Sequence, residues 1–269
     1  MARDRADHRR LDVVAALGKA LGGLPAAWAG AWGVLTFASA LIAAPVFVPL
    51  EGWMGWAHTA LLALTGLTAW AALTRIAVAG GVEGARRIGL GGGGLQFGKV
   101  ELRIAAGLVL NLLFLGLVAG VLALVSAAVL GAAGLDAQTV LTQDRDAVGP
   151  LWRQGVLAMT ALCVLCISAL LVIRLSLFAP AGVGRGRIVA LNSMGIAYGA
   201  FWPLLILWLI LAVTAAAAPY AAHTGWIAWP LSRLVTAFVI PWLWAPVAAG
   251  AVAAAWRQLE YWSPGEGLG

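Results

Sequence analysis

The chain has 269 residues, of which 62% are hydrophobic and 10% charged, with a net charge of +6. Water-soluble domains run nearer half apolar and a quarter charged, so this composition excludes a fold that hides its apolar surface in one aqueous core and requires lipid as solvent. The basic residues flank apolar stretches instead of forming a stripe interleaved with aromatics, which argues against nucleic acid and for anionic headgroups as the electrostatic partner.

Residues 1–26 read as a cytoplasmic arm. Arg3, Arg5, Arg9 and Arg10 precede an apolar stretch, as in a secretory signal, but the strong hydrophobic run begins only at Trp28 and is longer than a signal core, so it is expected to remain as the first span. Leu11, Val14, Ala15, Gly18 and Leu21 recur at helical spacing with Asp12 and Lys19 off that face, predicting a short amphipathic helix on the cytoplasmic leaflet.

A transmembrane helix needs about 20 apolar residues, and its backbone must be satisfied internally. Six segments qualify: Trp28 to Val48, Trp53 to Val78, Ile104 to Leu130, Gln154 to Phe178, Tyr198 to Ala218 and Pro230 to Trp256. The expected architecture is an all-α, polytopic six-helix bundle over residues 27–257, followed by a cytoplasmic tail at 258–269. Pro49 to Gly52 leaves room only for a tight turn, making the first two spans an antiparallel hairpin with Glu51 at the outer water boundary.

The connection after span two carries Arg75, Arg86, Arg87, Lys99 and Arg103, and that after span four carries Arg174, Arg185 and Arg187. With the arm and Arg257, fourteen of the seventeen cations fall on one side, leaving Arg145, Arg153 and Arg233. By the positive-inside rule both ends face the cytoplasm, as in a multi-pass protein of a bacterial inner membrane. The outer loop from Leu135 to Pro150 holds Asp136, Asp144 and Asp146, without the ligand spacing of a calcium loop. The run Gly91 to Gly94 lacks the Lys and Ser or Thr of a phosphate loop and reads as a flexible linker.

Tryptophans prefer the headgroup level. Trp28, Trp32, Trp202, Trp256 and Trp262 fall at inner boundaries, Trp53, Trp56, Trp152, Trp226 and Trp229 at outer ones, while Trp70, Trp208, Trp242 and Trp244 lie deeper and read as packing.

Ionisable or polar groups within spans are few. His58 reads as an interfacial histidine bonded to a backbone carbonyl, with a proton relay as the alternative, and Asn111 as a hydrogen bond between helices. Lys99, Glu101 and Arg103 read as a solvated helix entrance or as an ion-pair network with Arg75 or Arg174. Arg233 is placed to pair with an outer carboxylate or to snorkel outward. Cys163 and Cys166 sit in an apolar run without a second pair or a histidine cluster, so they read as packing residues, and no cofactor or metal is expected. Gly116 and Gly120 form a GxxxG step, read as helix packing within the chain or with a second copy. Pro203, Pro230, Pro241 and Pro246 remove helical hydrogen bonds and free carbonyls.

The segment from Leu73 to Ile88, LTRIAVAGGVEGARRI, echoes VIRLSLFAPAGVGRGRI from Val172 to Ile188, with Arg75 over Arg174 and Arg86 and Arg87 near Arg185 and Arg187. A parallel internal repeat explains this, and so does the positive-inside rule acting twice. The string from Arg174 to Leu205, with Pro180, Arg185, Arg187, Gly199, Phe201 and Trp202, resembles the membrane domains associated with bacterial glycerophosphoryl diester phosphodiesterases and related six-span proteins. It departs from that pattern at Asn192, Ser193, Ala197 to Gly199 and Pro203, and no catalytic domain is expected within these 269 residues. The resemblance implies a membrane architecture without a reaction.

Functionally, the sequence points to a non-enzymatic module that binds anionic lipids, another membrane protein or a second copy through Arg75, Arg86, Arg87, Arg174, Arg185 and Arg187. The alternative is a small permease beside span six, with His58 or Arg233 attracting an anionic solute. A membrane-embedded enzyme ranks last, because no span carries a paired acid, base and nucleophile.

Overall fold

The computed structural model describes residues 10–135, 150–226 and 228–260; Arg3, Arg5, Arg9, Asp136, Asp144, Arg145, Asp146 and Trp262 lie outside them. The described residues are helical, with no strand among them. Their helices are α1 (Val13–Gly22), α2 (Leu24–Phe47), α3 (Trp53–Ala79), α4 (Val82–Arg87), α5 (Lys99–Ala132), α6 (Leu151–Leu175), α7 (Phe178–Arg185), α8 (Ser193–Ile196), α9 (Phe201–His223), α10 (Trp229–Val239) and α11 (Ala245–Leu259). Five stretches are long and apolar enough to cross a membrane: Leu24–Phe47, Trp53–Ala79, Gly92–Ala132, Leu151–Arg185 and Trp229–Leu259. The remaining expected span forms α9, whose apolar part, Phe201–Ala217, is shorter.

The chain divides into two compact units, Met1–Leu108 with Arg174–Gly269, and Val109–Ile173. In the larger unit α2 and α3 form the expected hairpin, reversed through Gly52 at φ 58, a left-handed backbone that favours glycine. Ala27, Ala31, Val34 and Leu35 of α2 pack on Ala69, Ala72, Leu73 and Ile76 of α3, together with Ala249 of α11. Lipid tails are as apolar as leucine, so helices in a membrane gain by close van der Waals packing, and small residues permit it. Gly30 illustrates the closeness: a Cβ there would lie 2.7 Å from Ile76 Cδ1. The alanine-rich α11 is buried almost all round, as a core helix must be.

From Asp12 onward the N-terminal arm packs on the last helix. Asp12 caps α1, its carboxylate accepting from the Ala15 N–H, and its own N–H donates to Gln258 Oε1 at 2.7 Å. Ala20 abuts Gly250, so α1 runs antiparallel along α11 with Leu11, Ala16 and Ala20 buried. Of the face predicted to lie on lipid, Leu11 is buried instead, while Val14, 80% exposed, and Ala15, Gly18 and Leu21 point outward. The helix therefore presents an apolar face outward while a small-residue face binds it to the protein.

The glycine run, expected to be a linker, is instead packed. Gly92–Gly94 makes a 3-10 turn against α2 and α3. Gly94, at φ 76, is buried so closely that a Cβ would lie 3.1 Å from Ala31 Cα, and a Cβ on Gly33 would lie 3.0 Å from the Gly93 carbonyl oxygen. Such non-helical backbone is tolerated beside membrane helices only where protein covers it, and glycine is what lets two backbones meet.

Two prolines leave carbonyls without helical donors, and two side chains supply the missing hydrogen bonds. Pro45 cannot donate to Leu41, whose carbonyl accepts from His58 Nε2 at 2.8 Å. Pro246 cannot donate to Trp242, whose carbonyl accepts from Trp28 Nε1 at 2.7 Å. Between α10 and α11 the chain takes a π-helical turn, Ile240–Trp244, which accommodates Pro241 without breaking the rod. Trp242 and Trp244 donate in turn to Ser39 Oγ and to the Leu211 carbonyl, so these two deep tryptophans bond as well as pack, whereas Trp208 Nε1 is unpaired among the described residues. We expect His58→Ala to cost about 1 kcal/mol of stability. In a Pro45→Ala background, where Leu41 regains its helical donor, the cost of His58→Ala should shrink towards zero in thermal unfolding. Equal costs in both backgrounds would reject the pairing.

In the smaller unit, Ala133 and Leu135 pack with Leu130, Val156 and Leu157. Elsewhere its helices expose leucines such as Leu117, Leu124 and Leu165, a surface suited to lipid and not to water. Added Cβ atoms at Gly116 and Gly120 meet open space, so the GxxxG step has no neighbour at contact distance among the described residues. Cys163 and Cys166 are free and exposed. Asn111 is buried, with its Oδ1 unpaired among the described residues.

Candidate headgroup-facing arginine site

Of the six arginines proposed from sequence, two are held in ion pairs, three are exposed and Arg174 is half-buried. Arg75, in the last turns of α3, was expected to extend towards phosphates; it is instead 2% exposed and held by Glu101, which is 0% exposed. Its Nη2 donates to Glu101 Oε2 at 2.7 Å, and its Nη1 lies 2.6 Å from Oε1 as an ion contact without hydrogen-bond alignment. The same Oε2 accepts from the Gly98 N–H at 2.9 Å, so the first turn of α5 is fixed to α3. The entrance of α5 is thus a buried ion pair and not a solvated one, because a guanidinium enclosed among helices needs a carboxylate to offset its desolvation.

Arg185, at the end of α7, is likewise engaged. Its Nε and Nη2 donate to the two oxygens of Glu260 at 3.0 and 2.7 Å, the fork geometry of a bidentate pair. Trp256 Nε1 donates to Glu260 Oε2 at 2.7 Å, and the indole lies against Gly184. Trp256 was expected at the headgroup level; it is buried because this clasp draws it under α7. Glu260 escaped the sequence reading, which assigned it to the cytoplasmic tail; its signal was the i, i+4 spacing from Trp256.

Arg86 and Arg87 end α4 and Arg187 follows α7, all three exposed. Ile88, Leu95 and Phe97 are exposed in the same connection as Arg86 and Arg87, and Ile188 and Leu191 beside Arg187. Arg174 is half-buried, its guanidinium carbon 6.0 Å from the Tyr198 ring centroid. The start of α5 adjoins the second loop: Arg103 Nη1 would lie 3.9 Å from a Cβ on Gly186, and the Val189 carbonyl 2.9 Å from one on Gly107.

On the other face, Arg233 stacks over Trp229, 5.3 Å from the ring centroid. It lines a cavity of about 430 Å³ with Pro219, His223, Ser232 and Thr236. Neither His58 nor Glu51 lines that cavity, so the two expected pathway residues, His58 and Arg233, are not brought together there. Among the described residues no group of three or more His, Cys, Asp or Glu is placed to hold a metal ion. Comparisons of the chain with protein-family models, with curated proteins and with solved structures find no match.

Proposed function

We propose that this is a six-span protein of a bacterial inner membrane, with both termini cytoplasmic, that binds anionic lipid through its exposed inner arginines. Beyond the five long apolar stretches, the remaining span is α9, whose 23 residues reach about 34 Å at 1.5 Å per residue. The supporting observation is the pairing, in two connections, of exposed cations with exposed large apolar side chains: Arg86 and Arg87 with Ile88, Leu95 and Phe97, and Arg187 with Ile188 and Leu191. Such a surface suits the headgroup boundary, where each cation near anionic lipid contributes about 1 kcal/mol and the apolar neighbours enter the acyl region. Arg75 and Arg185 belong to internal clasps and are left out of this surface.

Charge reversal of Arg86, Arg87 and Arg187 together should lower copurifying anionic lipid severalfold while thermal unfolding in detergent stays within about 0.5 kcal/mol of the parent. Unchanged lipid retention would remove the reading; loss of a copurifying protein with lipid unchanged would transfer the surface to a protein partner. The cavity beside Arg233 and His223 supports a second reading, an outward-opening anion permease. Uptake into proteoliposomes that Arg233→Ala leaves intact would dismiss it.

A further inference from the structure

A second cavity, of about 380 Å³, lies where α1, α2, α3 and α11 meet. Its volume falls in the range of small-molecule sites, about 300 to 1,000 Å³. Lys19 of α1 and Arg257 of α11 line it, and no carboxylate does. Among the described residues neither cation meets a carboxylate at ion-pair distance, in contrast to Arg75 and Arg185. The walls are apolar, Leu73, Ile76 and Pro246 among them, or glycine backbone. At Gly22, Gly80 and Gly81 an added Cβ would meet nothing within 4 Å, so this lining leaves space unfilled.

Two cations without a carboxylate partner among the described residues, beside an apolar, glycine-lined recess, match one chemistry: an anionic head joined to, or lying against, a hydrocarbon surface. We propose that this cavity is a binding site for a single phosphate-bearing amphiphile, its phosphate held between Lys19 and Arg257 and its apolar part against Leu73, Ile76 and Pro246. Arginine supplies a planar fork for phosphate oxygens, while lysine adds a point charge on a flexible stem. The inference rests on the lipid-binding reading for the class of ligand but uses none of its arginines. Because α1 forms one wall, an occupant would also hold α1 against α11.

The experiment is native mass spectrometry of the full chain in detergent, titrated with phosphatidylglycerol, with phosphatidylcholine, or with inorganic phosphate at millimolar concentration. The parent should retain phosphatidylglycerol in preference to phosphatidylcholine. Lys19→Gln with Arg257→Gln, both on exposed side chains, should lower that retention roughly thirtyfold. Ala77→Phe, which fills the recess and keeps both charges, should lower it as well. The Arg86, Arg87 and Arg187 reversal should leave this tight first adduct in place, which separates failure of this site from failure of the surface reading. If inorganic phosphate displaces the lipid, the site takes a free oxoanion and the phosphate chemistry stands without the acyl chain. Retention untouched by the double glutamine variant, or untouched by Ala77→Phe in a protein that unfolds at the parent's temperature, overturns the proposal.

Discussion

Glu101→Gln is expected to lower unfolding stability by about 3 to 5 kcal/mol. Glutamine still accepts from the Gly98 N–H, so the loss isolates the charge: the Arg75 guanidinium, 2% exposed, is left without its counter-ion. Arg75→Met should cost a comparable amount by stranding the carboxylate. The double change, Arg75→Met with Glu101→Gln, leaves no buried charge and should return to within about 1 to 2 kcal/mol of the parent. Denaturant unfolding in one detergent, run as a double-mutant cycle, measures this. Additive losses would mean that the two groups do not depend on each other. The pair also closes the connection that carries Arg86, Arg87 and the glycine turn, so weakened lipid retention should accompany the single changes and recover in the double.

The helices were legible because lipid imposes one rule on every spanning residue, and a run of apolar side chains reports it directly. The α2 to α3 turn, α5, α6 and the Trp229–Leu259 rod fall within a few residues of expectation for that reason. What the chain does between spans was less legible, since glycine has the same composition in a mobile linker and in the packed turn at Gly93 and Gly94; only the facing Gly33 and Ala31, sixty residues earlier in sequence, distinguish them. Likewise an arginine after a span looks the same whether it snorkels or finds a carboxylate. Arg75 takes Glu101, one of the two arrangements the sequence left open, while Arg185 takes Glu260, a partner brought to it only by folding. The α1 face made of Ala16 and Ala20 gave no amphipathic signal because its contact with α11 works by smallness and not by hydrophobicity. His58 was read correctly as a carbonyl donor; which carbonyl followed from Pro45, a deduction available in the sequence once the two spans are paired.

Gly184→Ala should destabilise the protein by about 3 kcal/mol, because the new methyl would overlap the Trp256 ring and tightly packed sites accommodate added atoms only by moving backbone or side chains. The displaced group matters more than the volume. Trp256 Nε1 donates to Glu260, and Glu260 holds Arg185 through both oxygens, so shifting the indole loosens the whole clasp between α7 and α11. Gly182→Ala is the control: its Cβ would make only an ordinary contact, 3.5 Å from the Arg187 carbonyl, and should change stability by about 0.5 kcal/mol or less. Trp256→Leu alone loses the indole bond and leaves space, yet in combination with Gly184→Ala the smaller side chain relieves the overlap. The double variant should therefore be more stable than the sum of the two single losses predicts, by about 1 kcal/mol or more. Strict additivity in thermal unfolding would show that Gly184 does not sit against Trp256, and the clasp would then have to be held by the Arg185 to Glu260 pair alone.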